Sequence, residues 1–277
     1  MKRWLTTFFM LAVCSAVLRA DVTIVQTTSL EGGMASAMAQ NGGTNMAPKM
    51  TTRIKGQKQR SDIEVAGQTF YMIVDLAAKQ VAVVQPAQKT VQIMTSAPQA
   101  PQGVQMPKMD TNFQPTGRSQ TIDGVKCDEY SFSTTIDMSQ MGAGPAGAQM
   151  PPEAAQMMQG AKMVMKGGVW VAKSAPGAEE YSNFMKAAAK SELAATMAGA
   201  MSGGNGGMSR MMRAMSGIDG IAYMTEMTMS VEGTGQMADM MRQMGDMHVT
   251  TKISSISTDA IDDSVFQIPS DYQVIKK

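Results

Sequence analysis

Hydrophobic and polar residues alternate with a period of two along several stretches of the chain, which is the pattern of half-buried β-strands. Between residues 50 and 95, turn residues recur at intervals of about ten, and β-branched and aromatic runs separate them. The turns are Lys55-Gly56-Gln57, Ala66-Gly67-Gln68, Asp75 to Lys79 and Gln85 to Lys89, and the runs include QTFYMIVD, QVAVVQ and TVQIMT. This arrangement predicts an antiparallel meander.

The same alternation returns later in the chain. In YMTEMTMSVE, Tyr223, Met227, Met229 and Val231 share one face, and polar residues occupy the other. DEYSFSTTID alternates in the same way, and further strands are predicted at Val22 to Thr28, Met163 to Val171 and Val249 to Ser257. We therefore predict an α+β protein dominated by one antiparallel sheet of about ten strands.

One strong helix is predicted after the turn residues Ser174 to Gly177. Glu179 and Glu180 fall in its first turn, where the helix dipole favours anions. Tyr181, Phe184 and Met185 gather on one side, together with Ala188 and Leu193. This apolar stripe either packs directly on the sheet or covers a cavity, and spacing alone does not separate the two.

Low-complexity segments interrupt the strand pattern. They lie near residues 31–49, 96–116, 138–161, 198–216 and 234–247, and the last two contain Met-rich stretches with helical spacing. The first three, with the glycine-rich start of the fourth, contain too little bulky apolar residue to order themselves, so we predict mobile loops there. Because strand pattern resumes after each, we expect insertions into a single domain that spans residues 21–277.

The first 20 residues have the layout of a secretory signal peptide. Lys2 and Arg3 precede an apolar or small run from Trp4 to Leu18, and a cut after Ala20 is predicted. This run is too short for a settled transmembrane helix. The alternative is a lipoprotein cut before Cys14, although Val13 is bulkier than the residue normally found at that position. Either route predicts a periplasmic or secreted protein.

Removal of residues 1–20 changes the charge and the cysteine count. The loss of Lys2, Arg3 and Arg19 leaves 21 basic and 23 acidic side chains, a net charge of −2. We therefore expect no nucleic-acid partner, and we expect no transmembrane helix in the mature chain. Only Cys127 remains, so the mature chain is predicted to fold without an intramolecular disulfide.

The sequence carries little that supports catalysis. The single histidine excludes sites built from two imidazoles, and nucleophile-elbow, phosphate-loop and Cys-x-x-Cys motifs are missing from the sequence. Asp259, Asp262 and Asp263 lack the spacing of a calcium loop, and a helix cap at Thr258 or Asp259 explains them more simply. We therefore predict a non-enzymatic protein without a cofactor.

Methionines recur at helical spacing in two places. Met237, Met240, Met241 and Met244 form one stripe with His248, and Met208, Met211, Met212 and Met215 form a second. Thioethers favour Cu(I), but a core-facing stripe has the same spacing. The mature chain has 30 methionines and only three leucines, so methionine serves as a general apolar residue. Flexible Met helices would suit an adaptable cover over an apolar groove.

Four stretches of the sequence are distinctive: TIDGVKCDEYSF, GGVWVAKSAPGAEEYSNF, SISTDAIDDSVFQIPSDYQV and the meander RSDIEVAGQTFYMIVDLAAKQVAVVQPAQKTV. Together they resemble a family of exported bacterial proteins of unknown function. By overall pattern this family resembles the periplasmic outer-membrane lipoprotein carriers. The resemblance implies a curved half-barrel whose concave apolar face is covered by helices and holds an acyl chain or another hydrophobic guest.

The leading functional hypothesis is non-catalytic binding of a hydrophobic or amphiphilic ligand, or of a lipidated partner, in the cell envelope. The candidate ligand-binding residues are Tyr181, Phe184, Met185, Met237, Met240, Met241 and Met244. Two alternatives stay open: Cu(I) binding by the Met stripes, and a structural or interaction role without a small ligand.

Overall fold

A computed structural model describes residues 21–33, 35, 36, 47–95, 109–138, 159–191, 193, 196, 215 and 217–276. The predicted signal peptide and most of the segments 138–161 and 198–216 lie outside this part of the chain. The strands are β1 (Val22–Gly32), β2 (Lys49–Lys55), β3 (Lys58–Val65), β4 (Gln68–Asp75), β5 (Gln80–Gln85), β6 (Thr90–Met94), β7 (Met109–Ile122), β8 (Val125–Asp137), β9 (Ala161–Ala172), β10 (Ile221–Gly233), β11 (Met247–Ser257) and β12 (Gln273–Lys276). Two α-helices are described over their full length, α1 (Ala178–Lys190) and α2 (Gln236–Met244).

These strands form one open, curved sheet in the order β12-β6-β5-β4-β3-β2-β1-β11-β10-β9-β8-β7. Neighbouring strands are antiparallel throughout the described residues, except that β12 runs parallel to β6. The predicted α+β class with one mainly antiparallel sheet is confirmed. The predicted number of about ten strands is wrong, because the sheet has 12.

Tight turns produce the meander that the ten-residue rhythm predicted. Ala66-Gly67 and Asp123-Gly124 each place two consecutive residues at positive φ, between 50° and 82°. Such turns match the right-handed twist of paired strands, and glycine reaches this conformation without a Cβ penalty. Strands β3 and β4, and β7 and β8, are thereby joined into hairpins.

The sequence analysis missed strands β7 and β12 and predicted β1 too short. Residues 109–116, predicted as part of a mobile loop, form the start of β7, which pairs with β8 from Met109 to Ile122. The ladder is irregular between Pro115 and Ser119. Proline and an irregularity of this kind are tolerated because β7 is an edge strand. The segment 31–49 is likewise strand at both ends, where Gly32 closes β1 and Lys49 opens β2.

The main core lies where α1 packs against the sheet. Phe184 and Ala188 of α1 are buried against strand residues that include Val22, Ile24 and Ile54. Helix α1 also meets the β2–β3 turn through Glu180, whose Oε1 accepts a hydrogen bond of 3.1 Å from the backbone N–H of Gly56. The apolar stripe predicted for this helix therefore packs on the sheet over part of its length.

The opposite face of β4, β5 and β6 is covered by the C-terminal segment. Ile261 and Phe266 pack on Tyr71, Ile73, Ala82, Val84 and Val91. A 3₁₀ helix at Asp263–Phe266 is capped by Asp262, whose Oδ1 accepts a hydrogen bond of 2.8 Å from Ser264 N–H. The cap is therefore Asp262, not Thr258 or Asp259 as predicted.

No helix in the described part of the chain has the length and apolar character needed to cross a membrane.

Candidate functional site

A cavity of about 290 Å³ lies beside α1, on the face of the sheet that this helix covers. Strands β1, β2 and β3 supply one wall, and β9, β10 and the segment leading into β10 supply another. Its described lining residues are Ile24, Gln26, Met50, Thr52, Gln59, Ser61, Phe113, Val171, Tyr181, Ser182, Met185, Met215, Ile218, Gly220, Ile221, Ala222 and Thr225.

Apolar side chains make up most of this lining. Ile24 and Ile221 are almost fully buried, with exposed fractions of 2% and 1%. Phe113 reaches the cavity from the edge strand β7, where its ring stacks on that of Tyr130 at 5.5 Å between centroids. The curvature of the sheet brings β7, β9 and β10 to the same space as β1 and β2. An apolar ligand would therefore exchange water for hydrocarbon contacts over most of its surface.

A small polar group lies on the β2–β3 side of the cavity. Thr52 and Ser61 are directly opposite in the ladder, and their hydroxyl oxygens are 3.3 Å apart. The Nε2 group of Gln59 donates a hydrogen bond of 2.8 Å to Ser61 Oγ. Thr52 and Ser61 are buried, with exposed fractions of 6% and 2%. Their hydroxyls are thus committed to one another and to Gln59.

Ser182 is a second polar residue whose hydrogen bonds are used within the protein. Its Oγ donates to the carbonyl of Ala178 at 2.7 Å and accepts from the backbone N–H of Gly220 at 2.8 Å. This pair of bonds attaches α1 to the segment that enters β10. It fixes two walls of the cavity relative to one another.

The hydroxyl of Tyr181 differs from these groups. Tyr181 lines the cavity from α1, and its hydroxyl makes no hydrogen bond to any residue that the structure describes. Burial raises the pKa of Tyr181, since the phenolate would be poorly solvated there. The group therefore stays protonated and keeps a donor for a molecule inside the cavity.

Charged side chains are missing from the described lining. The nearest charged residues on α1 are engaged elsewhere: Glu180 accepts from Gly56, and Lys186 forms an exposed ion pair with Asp219. Within the described residues, no group of three or more His, Cys, Asp or Glu could hold a metal ion. The lining residues that the structure describes pair no nucleophile with a general base.

The three predicted site residues of α1 lie in two different environments. Tyr181 and Met185 line the cavity. Phe184 is 2% exposed and belongs to the core between α1 and the sheet. One part of the apolar stripe of α1 therefore packs directly on the sheet, and another part covers the cavity.

The four predicted methionines of 234–247 lie on α2, which contacts β9 and β10. Met241 packs against a separate small cluster that contains Met138, Ala161, Val231 and Ala238. Met240 is 47% exposed, and Met244 is half-buried. Met237 belongs to the same helix. Met240, Met241 and Met244 are not among the lining residues of the cavity beside α1.

The predicted helical stripe does not reach His248. Helix α2 ends at Met244, and His248 lies in β11, with its Nδ1 3.1 Å from the hydroxyl of Thr228. In the second stripe, Met208, Met211 and Met212 lie outside the described residues, whereas Met215 lines the cavity beside α1.

The polar wall of Thr52, Gln59 and Ser61 was missed by the sequence analysis. The alternation of MTTRIK and KQRSDIEV indicates that these residues share one face, but the same pattern is typical of a solvent-exposed face. Only the covering helix, more than a hundred residues away in sequence, buries them.

No protein-family model matches this chain, and no curated protein does so either. The chain is similar to a solved structure of an uncharacterized conserved protein from Thermus thermophilus. The identity is 7% over 94% of this chain and 92% of that chain, with a TM-score of 0.38.

Proposed function

We propose that this chain is an exported, non-catalytic binding protein for a hydrophobic or amphiphilic ligand, taken up free or as the acyl group of a lipidated partner. The observation that carries the proposal is the cavity of about 290 Å³ beside α1, lined mainly by apolar side chains and by a few hydroxyl and amide groups. Pockets for small molecules commonly have this composition.

The size of the cavity sets the scale of the ligand. Its volume is at the lower end of the range of roughly 300–1,000 Å³ found for small-molecule pockets. A medium-length acyl chain or a molecule of similar bulk fits this space better than a complete two-chain lipid. The resemblance to lipoprotein carriers, which rests on overall sequence pattern, supports an acyl guest.

Export is part of the proposal. Its support is the signal-like pattern of residues 1–20, and the fold accommodates a chain that begins at Asp21. Asp21 Oδ2 accepts a hydrogen bond of 2.7 Å from the backbone N–H of Ile261. The intact mass of protein recovered from the periplasm tests this: cleavage after Ala20 leaves Asp21 as the first residue, whereas a diacylated chain would begin at Cys14.

The binding proposal is tested by filling the cavity from β10. Thr225 lines the cavity, and Thr228, three residues later in the same strand, lies on the other face beside His248. The chain, expressed from its full coding sequence, is titrated with the neutral lipophilic fluorophore N-phenyl-1-naphthylamine. We expect saturable binding by the parent protein and by Thr228→Phe, and a loss of at least tenfold in affinity for Thr225→Phe.

Equal binding by Thr225→Phe and Thr228→Phe would place the fluorophore elsewhere and contradict the proposed site. No binding by the parent protein would contradict the proposed function. Native mass spectrometry of protein purified from the periplasm adds an independent measurement, since a co-purified lipid-like mass supports the proposal and a bound copper ion favours the Met-stripe alternative.

A further inference from the structure

The chemistry of the lining also restricts which amphiphile the cavity accepts, and this step rests on the proposed function. None of the 17 described lining residues is charged. A carboxylate or phosphate that entered this space would leave water without gaining a cation or a set of N–H donors. Burial of an uncompensated charge is strongly unfavourable, so an ionised head group weakens binding relative to an uncharged one of the same chain length.

The buried hydroxyls of the lining already have partners within the protein, whereas Gln59 Oε1 is a buried acceptor with no partner among the described residues. The hydroxyls of Thr52 and Ser61 lie within hydrogen-bond distance of one another, and Ser61 also accepts from Gln59. Ser182 binds Ala178 and Gly220. A ligand gains little by competing for the hydroxyls of Thr52, Ser61 and Ser182, because each new bond would replace one that exists.

Tyr181 is the group on α1 with a free donor. Its hydroxyl has no partner among the described residues, and it projects from the same helix turn that carries the satisfied Ser182. A phenol O–H is a good donor to a carbonyl oxygen. Within an apolar space a hydrogen bond is stronger than in water, so a guest that supplies an acceptor to this hydroxyl gains affinity.

We propose that the cavity binds an uncharged ligand with an apolar body and a carbonyl group, such as an acyl ester or amide, whose oxygen accepts a hydrogen bond from the Tyr181 hydroxyl. An ionised fatty acid of the same chain length is excluded by the uncharged lining. A plain hydrocarbon binds without the additional bond.

The test compares three ligands of similar size by displacement of N-phenyl-1-naphthylamine at pH 8: methyl octanoate, octanoate and nonane. We expect methyl octanoate to bind at least tenfold more tightly than ionised octanoate. In Tyr181→Phe, we expect the affinity for methyl octanoate to fall about three- to tenfold, as the loss of one hydrogen bond predicts. The affinity for nonane stays unchanged.

The control is Tyr272→Phe, since Tyr272 belongs to the C-terminal segment, which packs on the opposite face of the sheet. This substitution should change neither the affinity for methyl octanoate nor the affinity for nonane. Octanoate that binds as tightly as the ester overturns the exclusion of charged ligands. An unchanged ester affinity in Tyr181→Phe, or an equal loss for ester and nonane, overturns the role of the hydroxyl.

A failure of the proposed function gives a different result, because the fluorophore itself then fails to bind the parent protein. Near-ultraviolet circular dichroism verifies that Tyr181→Phe is folded. If this variant is not folded, the parent protein alone provides the test. Tighter binding of methyl octanoate than of nonane supports the proposal, and equal binding overturns it.

Discussion

The backbone N–H of Gly220 donates a hydrogen bond of 2.8 Å to the side-chain oxygen of Ser182, 38 residues earlier in the chain. Both residues line the cavity, and Ser182 is 5% exposed. This contact connects the helix that covers the sheet with the start of a central strand. This hydrogen bond lies among mainly apolar contacts.

Ser182→Ala should destabilise the protein by about 1–3 kcal/mol, because it leaves the buried Gly220 N–H without an acceptor. The measurement is the free energy of unfolding from urea titration. Ser29→Ala, at an exposed position of β1, provides the control and should change stability by less than about 0.5 kcal/mol. Equal effects would show that the bond between α1 and β10 adds nothing.

Gly177 precedes α1 with φ of +71°, and a Cβ there would come within 2.5 Å of Val22 Cγ2. Gly67 has a similar φ of +74°, but a Cβ would meet nothing within 4 Å. Gly67→Ala should therefore cost only the left-handed backbone conformation, about 1–2 kcal/mol. Gly177→Ala should cost clearly more in the same urea titration, since Val22 is fully buried. Similar losses would mean that β1 shifts freely to admit the methyl group.

Glu129 on β8 is 6% exposed and accepts hydrogen bonds from Arg118 Nε at 2.5 Å and from Thr116 Oγ1 at 2.6 Å. Burial raises the pKa of Glu129, but the bonds from Arg118 and Thr116 together outweigh it, and the pKa lies below its ordinary value. The carboxylate is therefore stabilised more strongly in the folded protein than in the unfolded chain.

The stability from Glu129 should be fully present above the pKa of an unfolded glutamate, about 4.5, and should be lost as the pH falls through the lower folded-state value. Glu129→Gln should be less stable than the parent protein at pH 7, and the difference should shrink below pH 4.5. Thermal unfolding of both proteins between pH 3 and 7 measures this. A difference that stays constant with pH would contradict the assignment.

Cys127 is fully buried on β8, and burial raises the pKa of its thiol. Both effects suppress the reactive thiolate. In a Cys14→Ala variant, where Cys127 is the single thiol, we expect reaction with a disulfide reagent at pH 8 to be slow in buffer and fast in concentrated urea. Rapid reaction of the folded protein would show that β8 opens readily.

Met240 and Met241 are adjacent on α2 but differ in surroundings, since Met240 is 47% exposed and Met241 packs on the cluster of Ala161 and Val231. Met241→Ala should lower stability by about 1–2 kcal/mol, and Met240→Ala should change it little. This outcome is expected if the stripe is a packing surface. Unchanged stability in both variants, with weaker Cu(I) binding in each, would instead favour the metal hypothesis.

Local patterns predicted much of the sheet. The hairpins through Ala66-Gly67 and Asp123-Gly124 follow from turn residues and alternation, which act over a few neighbours. Strand β7 was missed because Pro115 and Gly117 argue against a strand, and only its edge position makes them acceptable. Strand β12 has four residues, and its pairing with β6 depends on residues nearly 200 positions away.

The candidate site was only partly predictable for the same reason. Tyr181 and Met185 follow from the helical stripe, whereas their neighbour Phe184 points to the core. The ladder irregularity between Ala222 and Met224 changes which β10 residues face the cavity, and strict alternation does not reveal it. The polar wall at Thr52 and Ser61 becomes a site only when a distant helix covers it.

The position of β1 between β2 and β11 has a consequence for how the chain reaches its native state. Strands β2 to β6 are built from consecutive short connections, whose local contacts form quickly, whereas β7 to β11 pair in chain order across longer connections. The first strand joins these two halves, and its partner β11 ends at Ser257. The two halves can therefore pair only after almost the whole polypeptide has been synthesised, so a chain stalled during synthesis would expose unpaired strand edges that are prone to aggregation.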